Sequence, residues 1–139
     1  MSELIKPFEK TLFNQYDAIA KETITKYLSK KYDVTENPDP YGPDLYVKNT
    51  CFAETEIKEI WTGFDFPFAT VNIPARKEKY LKAGRVLFFV LSKNLKRAIV
   101  FEGKDLKKEY LKEVPNKFIS QGELFFQIPV TLCKVIDLE

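Results

Sequence analysis

Residues 43–58 read PDLYVKNTCFAETEIK, and this stretch predicts a β-hairpin. Residues 44–47 and 51–60 favour strands, and the polar residues 48–50 form the turn between them. A three-residue connection pairs Val47 with Cys51 and therefore brings Asp44 opposite Glu54. Side chains alternate along a strand, so one face carries Cys51, Ala53, Thr55 and Ile57, and the other carries Phe52, Glu54, Glu56 and Lys58.

The polar face of this hairpin places acids close to a lysine. With the predicted register, Glu56 is a diagonal neighbour of Asp44, and two carboxylates so placed suit one hard divalent cation such as Mg²⁺. Lys58 beside them could orient a nucleophile or stabilise charge on a phosphate. The alternative is an ordinary solvated hairpin face, on which such charges pair with their neighbours and contribute little.

The elements around the hairpin predict a mixed sheet covered by helices, an α/β (α+β) sandwich. Helices are expected over 7–31, 75–83 and 105–113, with Pro7 in a first turn and Gly84 ending the second helix. Residues 37–43 hold three prolines and a glycine, which indicates a stiff loop. Further strands are expected over 32–36, 69–73, 85–92, 97–102, 124–128 and 130–136.

The composition restricts the chemistry. The chain has 139 residues, a net charge of +2 and no histidine, which excludes histidine-based catalysis and histidine-ligated zinc. Cys51 and Cys133 lie in strand-like segments, so we expect buried free thiols rather than a disulfide. The longest apolar run, residues 86–91, is too short to cross a bilayer, and the first residues lack the pattern of a secretory signal. One domain, located in the cytoplasm and not in a membrane, is therefore expected.

Pro43-Asp44 and Glu56-Ile57-Lys58 together resemble the PD-(D/E)XK nuclease superfamily. The resemblance implies a restriction-endonuclease-like three-layer sandwich, a mixed central sheet with an αβββαβ core over about 7–92 and C-terminal strands and a helix over about 93–139. It implies that Asp44, Glu56 and the Ile57 carbonyl bind Mg²⁺ or Mn²⁺, and that Lys58 positions the attacking water. It further implies endo- or exonucleolytic hydrolysis of DNA, with a homodimer if both strands of a duplex are to be cut.

Other residues are candidates for the same site. Glu54 is a further potential ligand, and the first helix offers Glu22 or Asp17, of which Glu22 is nearer the strands. An exposed Glu22–Lys26 pair is the competing interpretation. Residues 76–80 resemble a variant of the Q-x-x-x-Y element of exonuclease-like members, with arginine in place of glutamine. The candidates there for nucleic-acid binding are Arg76, Lys77, Lys79 and Tyr80, and an amphipathic surface helix is the alternative.

Two more features remain open at this level. The aromatic residues after the hairpin could stack on unpaired bases or pack in the core, and these are Trp61, Phe64, Phe66 and Phe68. Basic residues from Lys93 to Lys112 could extend a nucleic-acid track or form solvated surface. A catalytically silent domain of the same fold that binds nucleic acid or a protein is the main functional alternative, and an interaction module of unrelated fold is the third.

Overall fold

The computed structural model describes residues 2–114 and 122–139, with side chains from residue 15 onward. Its first element is the α-helix α1, Ser2–Leu28. The helix begins and ends before the predicted bounds of 7 and 31, so Pro7 lies inside it rather than in its first turn. Ala20, Ile24 and Leu28, spaced four apart, are buried and form its core-facing stripe.

The described strands divide between two sheets. In chain order they are β1 Val34–Glu36, β2 Leu45–Val47, β3 Cys51–Lys58, β4 Thr70–Pro74, β5 Val86–Ser92, β6 Arg97–Glu102, β7 Leu111–Val114, β8 Glu123–Pro129 and β9 Lys134–Asp137. The main sheet has the order β1-β2-β3-β5-β6-β9, and the smaller sheet has the order β4-β8-β7. In the main sheet only β3 and β5 pair in parallel, so the sheet is mixed, as predicted.

The β2–β3 hairpin has the predicted register. Val47 pairs with Cys51 and Leu45 pairs with Ala53. Asn49 in the turn has a φ of 60°, a left-handed conformation that asparagine tolerates better than most residues. One step before β2, Asp44 therefore meets Glu54, and its backbone N–H donates to Glu54 Oε1 at 3.2 Å.

Two apolar clusters lie on opposite faces of the main sheet. One packs α1 against Leu45, Ala53 and Leu91. The other packs the smaller sheet against residues that alternate with the first set, including Phe88 and Phe101, whose rings stack at 5.1 Å. The molecule is thus an α+β fold in three layers: a helix, a six-stranded mixed sheet and a three-stranded sheet.

The segment after β4 forms a 3₁₀ helix, Ala75–Ala83, where a short basic helix was predicted. It ends at Gly84, as expected, since Gly84 has a φ of 134° and its N–H donates to Leu81 O at 3.2 Å. This segment connects β4 of the smaller sheet to β5 of the main sheet.

The prediction of a helix over 105–113 is wrong. Two short 3₁₀ turns, Gly103–Asp105 and Lys108–Tyr110, lead directly into β7, which pairs with β8. Leu106 is buried, and Tyr110 and Leu111 pack against the second apolar cluster, so tertiary contacts override a local helical pattern. The strand predicted over 130–136 is likewise shorter, because Val130–Leu132 is a 3₁₀ turn and β9 begins at Lys134.

Both cysteines are free, as predicted, with Cys51 buried and Cys133 half-buried. Among the described residues, no helix combines the length and the apolar character needed to span a bilayer. The cytoplasmic location stays a prediction.

Candidate active site

The site begins where β2 stops and β3 continues. The pairing of β2 with β3 ends at Leu45 and Ala53, and β3 continues past this point. There the Asp44 carboxylate, rather than a strand backbone, accepts a hydrogen bond from the edge of β3. The Thr55 N–H donates to Asp44 Oδ2 at 2.9 Å, and the Thr55 hydroxyl donates to the same oxygen at 3.0 Å. Two donors on one oxygen hold the carboxylate in a single orientation, which leaves Oδ1 for other partners.

The second acid of the site is Glu54, whose side chain is only 7% exposed. It accepts the Asp44 N–H through Oε1, while Oε2 lies 3.0 Å from Lys77 Nζ. Burial raises the pKa of Glu54 to about 8, and the negative charge of Asp44 adds to that increase against the opposing effect of Lys77. A carboxyl that titrates near neutral pH within a cleft is typical of functional sites.

Lys77 reaches the acids from the 3₁₀ helix Ala75–Ala83. Its side chain is 12% exposed, and Nζ also lies 3.9 Å from Glu56 Oε1. Burial lowers the pKa of Lys77, but Glu56 and Glu54 outweigh burial and the net shift is upward. Lys77 is therefore a charged ammonium across the neutral range, and Glu54 is the buried acid whose pKa lies near that range.

A cleft of about 990 Å³ opens over this group. It lies between α1, the loop before β2, strand β3 and the start of the 3₁₀ helix. Its carboxylates are Asp17, Asp44, Glu54, Glu56 and Glu59, and its cations are Lys21, Arg76 and Lys77. The excess of acids makes the cleft a poor site for an anion alone and a good one for an anion that arrives with a divalent cation.

Residues of α1 complete the wall of the cleft. Lys21 Nζ lies 3.9 Å from Asp44 Oδ1 and 3.6 Å from Glu36 Oε1. Burial raises the pKa of Asp17, and the nearby Asp44 raises it further. Of the two acids of α1 that were candidates, Asp17 lines the cleft, whereas Glu22 is exposed and lies 3.9 Å from Lys26.

Lys58 is the last residue of β3. Lys58 is not among the described residues that line the cleft, and its Nζ lies 5.8 Å from the centre of the Phe68 ring. Glu56 and Ile57 line the cleft, as do Arg76 and Tyr80 of the predicted nucleic-acid group. Burial raises the pKa of Tyr80, with Glu54 adding to the effect.

The remaining basic candidates lie outside the cleft. Lys79 stands over the Tyr80 ring at 5.6 Å. Arg97 is within 3.7 Å of Asp65 and 3.5 Å of Asp137, and Lys104 is 3.4 Å from Glu102. These partners favour the solvated-surface interpretation of the basic track.

The aromatic group after the hairpin is split between core and surface. Trp61 is fully buried and donates its indole N–H to Phe64 O at 2.6 Å, while Phe66 packs edge-on against it. The Phe64 ring is exposed. Core packing therefore accounts for Trp61 and Phe66.

The donor set of the cleft fits Mg²⁺ or Mn²⁺ in its chemistry, since it consists of carboxylate oxygens without histidine or cysteine. Among the described residues, however, no three such side chains are arranged as a set that could hold a metal ion. The Lys77 ammonium lies against Glu54 and Glu56, the acids that a metal would need. Every buried side-chain N or O atom in that part of the chain has a hydrogen-bond partner.

Comparison with family models, with curated proteins and with solved structures found no match for this chain. The site must therefore be interpreted from its own geometry. Sequence reasoning identified Asp44, Glu54 and Glu56 and included Lys77 among the nucleic-acid candidates. It missed the direct contact of Lys77 with the acids and the role of Thr55 in holding Asp44. The predicted register could have indicated Thr55, because a residue one step beyond Glu54 on the open edge of β3 must find another partner for its N–H.

Proposed function

We propose that the protein is a metal-dependent nuclease that hydrolyses phosphodiester bonds in DNA, with Mg²⁺ or Mn²⁺ held by Asp44 and Glu54 and supported by Glu56. The single observation that carries the proposal is that these three carboxylates line one cleft together with Lys77, whose Nζ lies 3.0 Å from Glu54 Oε2 and 3.9 Å from Glu56 Oε1. A bound divalent cation would polarise the phosphodiester and lower the pKa of the attacking water. One or two protein carboxylates are enough for Mg²⁺, which keeps several of its own waters.

Three residues that line the cleft have distinct roles in the proposed reaction. Thr55 fixes Asp44 through two hydrogen bonds to Oδ2. Glu54 would hold the cation as a carboxylate, so binding would require release of any proton that it carries. Lys77 supplies a positive charge beside the reacting phosphate, where a fixed charge in a partly desolvated site stabilises developing negative charge.

In the proposed site, the acid of β3 that acts with Asp44 lies two residues earlier than in the acid-x-lysine pattern. The geometry favours Glu54-Thr55-Glu56 beside Asp44 over Glu56-Ile57-Lys58, because Glu54 is the residue that meets Asp44 across the hairpin. The lysine then comes from the 3₁₀ helix as Lys77 rather than from the strand as Lys58. The resemblance to the PD-(D/E)XK superfamily and to its restriction-endonuclease-like fold stays part of the proposal, supported by the adjacency of β2 and β3.

The test is cleavage of labelled single-stranded and duplex DNA in Mg²⁺ or Mn²⁺, with chelator as the blank. Asp44→Asn, Glu54→Gln and Glu56→Gln should each abolish or strongly reduce cleavage. Glu22→Gln is the matched control, because it removes an exposed carboxylate outside the cleft. Equal cleavage by all four variants would refute the site.

The two lysines provide a sharper comparison. Lys77→Met should lower kcat by about 10²-fold or more, as expected for loss of a charge that stabilises the transition state. Lys58→Met should leave kcat nearly unchanged, since Lys58 does not line the cleft. The reverse result would return the catalytic role to Lys58.

The alternative is a catalytically silent domain, and one observation favours it. The Lys77 ammonium already lies 3.0 Å from Glu54 and 3.9 Å from Glu56, so a cation stands beside these acids without a metal. Calorimetric titration with Mn²⁺ separates the two proposals. Binding that Asp44→Asn removes supports the nuclease, and absence of binding by the native protein supports the silent domain.

A further inference from the structure

A tyrosine projects into solvent at the rim of the cleft. Tyr41 is 81% exposed, while its neighbours Pro40 and Gly42 line the cleft itself. Large aromatic side chains are usually at least half covered in folded proteins, because their burial is favourable. At the rim of the candidate active site, such an exposed ring is available to contact a ligand that enters the cleft.

The loop that carries Tyr41 is built to hold its position. The Asn37 side-chain amide donates to Pro43 O at 2.9 Å, and the Asp39 N–H donates to Asn37 Oδ1 at 3.1 Å. The Tyr41 N–H in turn donates to Asp39 Oδ1 at 2.9 Å. Prolines on both sides restrict the backbone further. A ring on such a loop binds a ligand with little loss of backbone entropy.

We propose that Tyr41 is a stacking platform for an unpaired base of single-stranded nucleic acid, next to the phosphodiester that enters the cleft. This inference rests on the proposed function and specifies the form of its substrate. Inside a duplex both faces of each base are covered by neighbouring bases, so an aromatic ring stacks only on an unpaired or terminal base. The ligand is thus a single strand or a frayed end.

The cleft supports the same substrate class. Its volume of about 990 Å³ is at the upper end of the range for pockets that hold small ligands. A cleft of this size suits a few nucleotides of a single strand better than a double helix. Arg76 and Lys21 also line the cleft, and such side chains can contact phosphates. Stacking on Tyr41 would fix the base adjacent to the bond that lies over Asp44.

The experiment measures binding separately from cleavage. Fluorescence anisotropy with a labelled oligonucleotide, single-stranded or in a blunt duplex of the same sequence, is recorded in Ca²⁺. Ca²⁺ is used because it is also an oxygen-preferring divalent cation. Native protein should bind the single strand more tightly than the duplex. Tyr41→Ala should weaken single-strand binding about 5- to 150-fold, the range expected for loss of one stacked base.

Two control variants make the result specific. Tyr41→Phe keeps the ring and should bind nearly as tightly as native protein. Tyr32→Ala removes another exposed tyrosine, outside the lining of the cleft, and should have no effect. Tyr41→Ala with unchanged single-strand affinity, or a native preference for the blunt duplex, would overturn the inference.

The outcome is distinguishable from that of the proposed function. Tyr41-dependent binding of single strands without cleavage in Mg²⁺ or Mn²⁺ would support the inference and refute the nuclease. Metal-dependent cleavage with affinity that does not depend on Tyr41 would support the nuclease and refute the inference. If the native protein binds neither oligonucleotide, Tyr41 serves another kind of partner and the inference is wrong.

Discussion

Replacing Lys77 by methionine removes the counter-ion of the acids while keeping most of the apolar stem. Removing one partner of a buried ion pair costs about 3–5 kcal/mol when the other charge is left unpaired. The side chains of Lys77 and Glu54 are 12% and 7% exposed, so solvent screens their contact little, whereas Glu56 is 32% exposed and contributes less. We therefore expect a loss of about 3 kcal/mol in the free energy of unfolding wherever Glu54 is ionised.

The same structure predicts that this loss depends on pH. The pKa of Glu54 is raised to about 8, so below that pH the folded protein keeps Glu54 neutral and needs no ammonium beside it. The loss caused by Lys77→Met should be negligible at pH of about 6 and should grow above pH of about 8 by at most about 1.4 kcal/mol per pH unit, so that roughly 1 kcal/mol is lost at pH of about 9. Urea unfolding of native protein and variant at both pH values, in chelator, measures it. A loss of the same size at both would refute the titration of Glu54, and no loss at either would refute the buried pair.

Mg²⁺ extends this experiment to the proposed site. If Glu54 is a metal ligand, Lys77→Met frees it, and the variant should regain stability in Mg²⁺. The gain is about 2.7 kcal/mol when the free ion is at 100 times its dissociation constant. Asp44→Asn in the same background should remove the gain. A variant that Mg²⁺ does not stabilise at pH of about 9 would show that Glu54 does not bind the ion.

Three further predictions concern single contacts. The folded state takes up a proton at Glu54, so the free energy of unfolding of native protein should fall as pH rises from about 4.5 to about 8. Urea titrations of Glu54→Gln should show no such fall. A pH profile of the variant that matches that of native protein would contradict this prediction. Thr55→Val removes the 3.0 Å hydroxyl contact with Asp44 and should lower the free energy of unfolding by about 1 kcal/mol. It should also weaken the binding of Mn²⁺, which calorimetry measures, and titrations that superimpose on those of native protein would argue against a positioning role. Trp61→Phe loses the 2.6 Å bond to Phe64 O and fills the core less well, so its urea midpoint should fall by the equivalent of about 2 kcal/mol, and an unshifted midpoint would exclude this account.

The hairpin could be predicted because its signals are local. Strand alternation over 51–58 and a three-residue turn fix which residues share a face, and the parity of the turn fixes that Asp44 meets Glu54. The apolar run at 86–91 likewise predicts a strand buried on both faces, and β5 lies in the interior of the main sheet with neighbours on both sides. Period and turn length determine these features without knowledge of the rest of the fold.

The second sheet could not be predicted in the same way. Residues 105–113 have a helical pattern, yet Leu111 pairs with Phe126 across β7 and β8. That pairing depends on β8 being available beside β4, a long-range fact with no local signature. The same applies to Lys77, which is one of several lysines in a basic segment until β4 and β5 fix the 3₁₀ helix against the acids of β3.

Lys58 shows how strand register limits what a motif defined by spacing can predict. A motif defined by spacing places acid and lysine two residues apart, and on a strand such residues share a face but lie roughly 7 Å apart along it. Asp44 meets β3 at Glu54, so Lys58 is four residues beyond the meeting point, roughly 13 Å along the strand. A lysine there is too far to contact Glu54, and the 3₁₀ helix supplies one at 3.0 Å instead. We therefore expect register, rather than the triplet alone, to decide which lysine acts in the proposed site, and comparison of Lys58→Met with Lys77→Met tests that expectation directly.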